Sequence, residues 1–242
     1  MTRLTRCNSS MGGLLLLTAV SLATLVGAGA AYGTTIDATD RGHYEDDGDH
    51  DSANTNYIVG EVPTGSVQYH NFFVFDLSSV SGTITSAELR LLNPPGGFAS
   101  SDATETYEVF DVSTSSGTLT GGGAGLVAVY ADLAGGTMYA SQVVSAADNG
   151  TTIVIPLNAA ALSDLNAASG LFAFGGVLTT TVVGGANEFL FGLTGSPSTL
   201  ADTQLVVTTD EVNAVPEPSA YALGLLGLAG LSLIGWWRRR LT

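Results

Sequence analysis

Hydrophobic and polar positions alternate along most of this chain. Between residues 83 and 92, Ala87, Leu89 and Leu91 turn one way while Ser86, Glu88 and Arg90 turn the other. A period of two marks a strand with one buried face. Ile153, Ile155 and Leu157 share a face in the same way, as do Phe189, Phe191 and Leu193. The pattern predicts strands over 55–60, 68–77, 83–92, 105–112, 125–133, 137–145, 151–157, 171–179, 188–194 and 204–209, with glycine-rich turns between them. Many short alternating strands with such punctuation predict an all-β fold, an antiparallel β-sandwich of jelly-roll-like type. Phe72-Phe73-Val74-Phe75 is apolar on both faces and is expected to be a central strand. One short helix is predicted over 159–167, capped by Asn158 and stopped by Gly170.

The two ends break the pattern. At the N-terminus, Arg3 and Arg6 precede an apolar run from Leu14 to Val26 and then a small-residue exit. Ala28-x-Ala30 and Ala31-x-Gly33 both suit the narrow pockets of signal peptidase, so 1–33 reads as a signal peptide. At the C-terminus, residues 219–237 are uncharged and rich in Leu, Gly and Ala. A helix of that length spans roughly 28 Å, close to the hydrocarbon thickness of a bilayer. Trp236 and Trp237 stand where an interfacial belt is expected, and Arg238, Arg239 and Arg240 set a cytoplasmic tail over 238–242. Between the two ends lie a body over 34–209 and a strap over 210–218. The body reads as a single domain.

Charge narrows the function. The chain has 242 residues, no lysine, seven arginines and 22 acids. All the acids fall between Thr34 and Glu217, with only Arg41 and Arg90 against them, a formal charge of −20. Such a surface excludes nucleic-acid binding, which needs basic residues. Cys7 is the sole cysteine and precedes the apolar run, so a mature chain has no thiol chemistry.

Just before the C-terminal apolar run stands Val215-Pro216-Glu217-Pro218. Two prolines remove backbone donors and push their predecessors to extended geometry, so the strap resists both sheet and helix. The order of a Pro-Glu-Pro motif, one membrane span and an arginine-rich tail resembles the PEP-CTERM sorting signal of Gram-negative bacteria, a segment also known as an ice-binding-protein C-terminal domain. The resemblance implies processing by an exosortase, an intramembrane transpeptidase. It also implies an inner-membrane anchored precursor that is delivered to the cell surface or its exopolysaccharide. The body is similar to exported sandwiches of that group at Asn54-Thr55-Asn56-Tyr57, Phe72 to Leu77, Thr83 to Leu91 and Glu105-Thr106-Tyr107. That similarity implies a fold and an export route and carries over no catalytic residue.

The candidate chemistry sits near the start of the body. Residues 37–51 hold seven acids with His43 and His50 among them. Crowded carboxylates suit calcium, which takes oxygen ligands from flexible loops. Asp47, Asp49 and Asp51 have the first three spacings of a calcium loop, but Ser52 and Ile58 stand where an EF-hand has Gly and Glu. A solvated acidic loop explains the same residues. His43, His50 and His70 are zinc or copper ligands by type, without an ordered spacing. No Gly-x-Ser-x-Gly or His-Glu-x-x-His motif is present. The sequence therefore predicts a non-enzymatic exported surface or matrix protein whose partners are signal peptidase, an exosortase, the membrane and exopolysaccharide. A carbohydrate-binding module, calcium-dependent or not, and a secreted hydrolase with a spatially assembled acidic pair stay open beside it.

Overall fold

The computed structural model describes residues 31–62, 66–181, 186–192 and 199–210. Most of the signal sequence, the strap beyond Asp210, the sorting motif at 215–218, the apolar run 219–237 and the arginine tail lie outside them. Among the described residues no helix is long and apolar enough to cross a membrane.

Eleven strands run in the order β1 (Ala31–Asp37), β2 (Asp40–Glu45), β3 (Val59–Val62), β4 (Val67–Asp76), β5 (Thr83–Asn93), β6 (Thr104–Asp111), β7 (Met138–Ser145), β8 (Thr151–Pro156), β9 (Leu171–Leu178), β10 (Glu188–Leu190) and β11 (Thr203–Asp210) among the described residues. All pair antiparallel. One sheet has the order β1-β11-β5-β8; the other has β10-β3-β4-β9-β6-β7, with β2 also paired to β4. The alternating residues do what the pattern requires. Ala87, Leu89, Leu91, Ile153, Ile155, Leu205 and Val207 face inward from the first sheet and meet Phe73, Phe75, Tyr107, Val109 and Phe174 from the second.

β4 is buried on both faces, as the run Phe72–Phe75 predicts, and the structure adds the reason. Phe73 and Phe75 enter the main core. Phe72 and Val74 point the other way, into a second cluster with Tyr44, Leu119, Val129 and Leu133. That cluster is roofed by two helices that the alternation did not predict, α1 (Ser116–Leu119) and α2 (Val127–Asp132). The expected strand at 125–133 is thus corrected to a helix. Leu126, Val129, Tyr130 and Leu133 lie three and four residues apart and pack on one side, which is helical spacing. The predicted helix is present as α3 (Ala159–Ala167), with Asn158 Oδ1 accepting from the N–H groups of Ala160 and Ala161. The strand expected at 55–60 starts only at Val59. The one at 188–194 ends at Leu190, where Phe191 takes a positive φ of 60°.

A buried polar network ties the strands together. Asn71 donates from Nδ2 to the Tyr57 carbonyl at 2.9 Å and accepts at Oδ1 from the Tyr107 hydroxyl at 2.9 Å. Gly176 is the cross-strand partner of Asn71, and a Cβ there would collide with both polar side chains. Arg41, 1% exposed, donates to Thr203 Oγ1 at 2.7 Å and lies 4.6 Å over the Tyr57 ring. Desolvation holds its pKa below the usual guanidinium value. Tyr57 itself is pushed up to about 12 by burial, and its hydroxyl donates to the Leu92 carbonyl at 2.6 Å.

The registers also place the chain ends. Ala31 pairs with Asp210, and Asp210 with Thr83. Asn166 of α3 closes on both backbone groups of Ile84. The start of β1, the end of β11 and α3 therefore share one pole. β10, the end of β5 and the start of β6 form the other. Phe191 N–H donates to Asn93 Oδ1 there. The eleven residues of β5 separate the poles by about 35 Å.

Candidate functional site

The acidic stretch at 37–51 is only partly a loop. Its first half forms the end of β1 and all of β2. From there the chain turns through Gly48, which has a φ of 86°. Asp47 Oδ1 accepts from the Asp49 N–H at 3.0 Å, and Asp51 Oδ1 from the Ala53 N–H at 2.9 Å. Asp49 Oδ1 accepts from the Gly125 N–H at 3.0 Å, which pins the loop to the segment leading into α2. Each of the three predicted calcium ligands thus receives a backbone donor, and the three carboxylates are not drawn within 4.8 Å of one another. Asp49 and Asp51 line a cavity of about 280 Å³ with His43, Glu45 and His50. Burial, then Asp47, Asp49 and Asp46, push the Glu45 carboxyl above its ordinary value.

The three histidines serve the fold. His43 Nδ1 lies 2.8 Å from the Asn56 carbonyl, His50 Nδ1 2.8 Å from the His43 carbonyl, and His70 Nδ1 2.9 Å from the Tyr130 carbonyl. A carbonyl only accepts, so each Nδ1 carries the proton. His70 also stacks flat on Tyr130 at 3.8 Å and so anchors α2 to β4, away from the other two. Burial lowers the pKa of all three.

The closest convergence of ligand-type groups lies at the opposite pole from the chain ends. Among the described residues, Asp102, Glu105 and Glu188 bring carboxylate oxygens within 4.8 Å of one another. Glu188 faces Glu61 across the β10–β3 pair, and Glu61, Glu105 and Glu188 are all buried. Glu105 accepts from the Ser100 hydroxyl at 2.5 Å and from the Thr180 hydroxyl. Three carboxylates at this spacing have the chemistry of an oxygen-ligand set for a hard divalent cation. Glu105 is, with Glu88 and Asp111, a candidate in the sequence for an acidic pair and is expected to face outward on its strand; the structure buries it fully, and Asp102 and Glu188 drew no notice. The meeting of the start of β6 with β10 at one pole is a property of topology. The one available signal was the absence of lysine, which leaves buried acids in the body only two arginines as basic partners.

The comparisons bear on the C-terminal end. The family model described as the PEP-CTERM protein-sorting motif matches residues 214–240. The match takes in the Pro-Glu-Pro strap, the apolar run and the three arginines, the same three parts in the same order. A search of curated proteins finds no match. The last described strand ends at Asp210, four positions before the matched segment starts. The chain therefore carries a PEP-CTERM sorting domain at its C-terminus, the mark of a protein targeted to an exosortase.

Proposed function

We propose that this is a non-enzymatic exported protein, anchored in the inner membrane as a precursor and delivered by its exosortase to the cell surface or exopolysaccharide of a Gram-negative bacterium. The observation that carries the reading is the pairing of Ala31 with Asp210 beside the matched segment at 214–240. Ala31 and Asp210, next to the expected signal peptide and the sorting segment in sequence, lie at one pole. A sandwich tethered there stands clear of the membrane, with its opposite pole about 35 Å away. Removal of the sorting segment cuts no strand, and a cut after Ala30 leaves β1 whole. The acidic, lysine-free body agrees with an extracellular setting rather than with contact to anionic lipid or nucleic acid.

The test is deletion of Arg238–Arg240 followed by cell fractionation and mass determination of the C-terminus. The expected result is a chain held in the inner membrane with its tail intact. Surface display and trimming equal to the wild type would overturn the proposal.

A further inference from the structure

A second concavity lies at the pole of the chain ends, a groove of about 530 Å³ between the end of β6, the starts of β7 and β9, and α3. Its polar rim holds two carboxylates. Asp111 Oδ1 accepts from the Thr137 N–H at 2.6 Å, and Asp164 Oδ2 accepts from the Tyr139 hydroxyl at 2.6 Å. Among the described residues the second oxygen of neither has a hydrogen-bond partner. The floor is apolar. Leu171 is 55% exposed and supplies the accessible apolar surface; Phe172, next to it on β9 and on the opposite face, stacks against Tyr139 with ring centroids 6.4 Å apart. The far wall is the hydroxyl-bearing run Thr114-Ser115-Ser116. Asp132 fixes that wall, accepting from the Ser113 hydroxyl at 2.6 Å and from the Thr114 N–H and hydroxyl at 2.7 Å. Against the upward pull of burial, these donors hold the Asp132 carboxyl below its ordinary value.

The groove has a definite chemistry. An apolar floor beside a rim of acceptors and hydroxyls suits a sugar ring, which has a C–H face and an edge of hydrogen-bonding groups. The carboxylates choose the charge. No lysine exists in the chain, and the two body arginines are engaged elsewhere, Arg41 in the core and Arg90 with Glu88. An anionic polymer meets unrelieved repulsion from a body of −20, whereas a cationic one is attracted over its whole length and most strongly where carboxylates line a cleft.

We propose that the groove lined by Asp111, Asp164, Leu171 and Phe172 binds a short run of a polysaccharide of amine-bearing sugars. Ammonium groups lie on the two carboxylates, and a ring face lies on the exposed Leu171 side chain. This rests on the reading that the protein lodges in extracellular polysaccharide, and it names the class of polymer.

The test is calorimetric titration of the detergent-solubilised full chain, at mildly acidic pH, with a glucosamine hexamer. The comparison ligands are the fully N-acetylated hexamer, which has the same backbone without charge, and hexalysine, which has the charge without the rings. The expected result is binding of the glucosamine hexamer at least about tenfold tighter than either, weakening with salt. Asp111→Asn/Asp164→Asn is expected to lose about tenfold or more, whereas Asp46→Asn/Asp47→Asn, with the same change in net charge, stays within about twofold. Leu171→Lys adds a repelling charge at an exposed position without touching the core. It gives the same loss as the groove pair and covers the case in which the latter fails to fold.

Equal binding of the acetylated hexamer, equal binding of hexalysine, equal losses in the two double variants, or no binding of the glucosamine hexamer would each overturn the assignment. The two readings fail separately. A chain that is displayed and trimmed normally but ignores the hexamer refutes the groove assignment alone. One that binds the hexamer but sorts without its tail arginines refutes the sorting proposal alone.

Discussion

Asn71 is the most stringent test of how the two halves of the larger sheet are held together. It is fully buried on β4, donates to the Tyr57 carbonyl and accepts from the Tyr107 hydroxyl on β6, which is itself fully buried. Asn71→Ala leaves one carbonyl and one hydroxyl without partners. Each orphaned group costs about 1–3 kcal/mol, so the expected loss is about 3–5 kcal/mol including the space vacated. That is a large share of the roughly 5–15 kcal/mol that holds a typical domain. Tyr107→Phe removes only the donor and is expected to cost about 1–2 kcal/mol. Joining the two changes removes the orphaned hydroxyl, so the double variant is expected to lose at least about 1 kcal/mol less than the sum of the singles. Urea unfolding of the solubilised chain measures this, followed by near-ultraviolet circular dichroism of tyrosine. Tryptophan emission is the wrong probe, because Trp236 and Trp237 both lie outside the body. Additivity within about 0.5 kcal/mol, or a loss below about 1 kcal/mol for Asn71→Ala, would refute the network as a stabilising unit.

Gly176→Ala drives a methyl into the same hydroxyl and amide and is expected to cost about 3 kcal/mol or more, read by the same unfolding assay. Histidines 43, 50 and 70 are kept neutral by burial, so the unfolded chain binds protons that the folded one does not. Their contribution is complete above pH of about 6.5 and is lost as pH falls below it; a melting temperature unchanged from neutrality to pH of about 5 would contradict their burial. Tyrosines are displaced the other way, Tyr57 and Tyr130 to about 12, with Tyr107 and Tyr139 also raised, so stability holds up to pH of about 10 and declines above it. Glu105→Gln keeps an acceptor for Ser100 or Thr180 while removing one of three converged charges, and is expected to be neutral or stabilising by up to about 1 kcal/mol. Glu105→Ala, which also removes the acceptor, is expected to cost about 1–3 kcal/mol; equal losses in both variants would mean the negative charge itself is needed.

Where a strand has one wet face, its alternation was legible. β5, β8 and β11 lie close to where Ala87-Leu89-Leu91, Ile153-Ile155 and the run at 204–209 put them. What failed has physical reasons. Residues 125–133 form a short apolar run whose intervals fit either period, and only the roof over Phe72 and Val74 selects the helix. β2 was hidden because its flanking acids read as loop, yet its middle, Arg41 to Tyr44, is buried by pairing with β4. The candidate site was less legible still. The run Asp47, Asp49 and Asp51 attracted notice by density; in the fold Asp47 and Asp51 accept from backbone two residues on, and Asp49 from the distant Gly125. Asp102, Glu105 and Glu188 are separated by up to 86 positions and meet only because the start of β6 and β10 lie at one pole. The sorting segment, by contrast, is a linear order of motif, apolar run and arginines, so sequence alone sufficed to find it.

The pairing of Ala31 with Asp210 also bears on where the expected signal peptide would be removed. Two small-x-small exits are available, after Ala30 and after Gly33, and local sequence does not rank them. The fold does. β1 opens at Ala31 and matches all seven of its residues to β11. A cut after Ala30 leaves that ladder whole. A cut after Gly33 removes the partners of Asp210, Thr209 and Thr208 and bares one edge of the last three residues of β11. Three lost pairs cost about 2–4 kcal/mol at about 0.5–1.5 kcal/mol per hydrogen bond, and an open strand edge is added at the tethered pole. The mature protein is therefore expected to begin at Ala31, and the N-terminal mass of the surface form decides it. A chain beginning at Thr34 with undiminished thermal stability would show that these three pairs contribute nothing to holding the body on its tether.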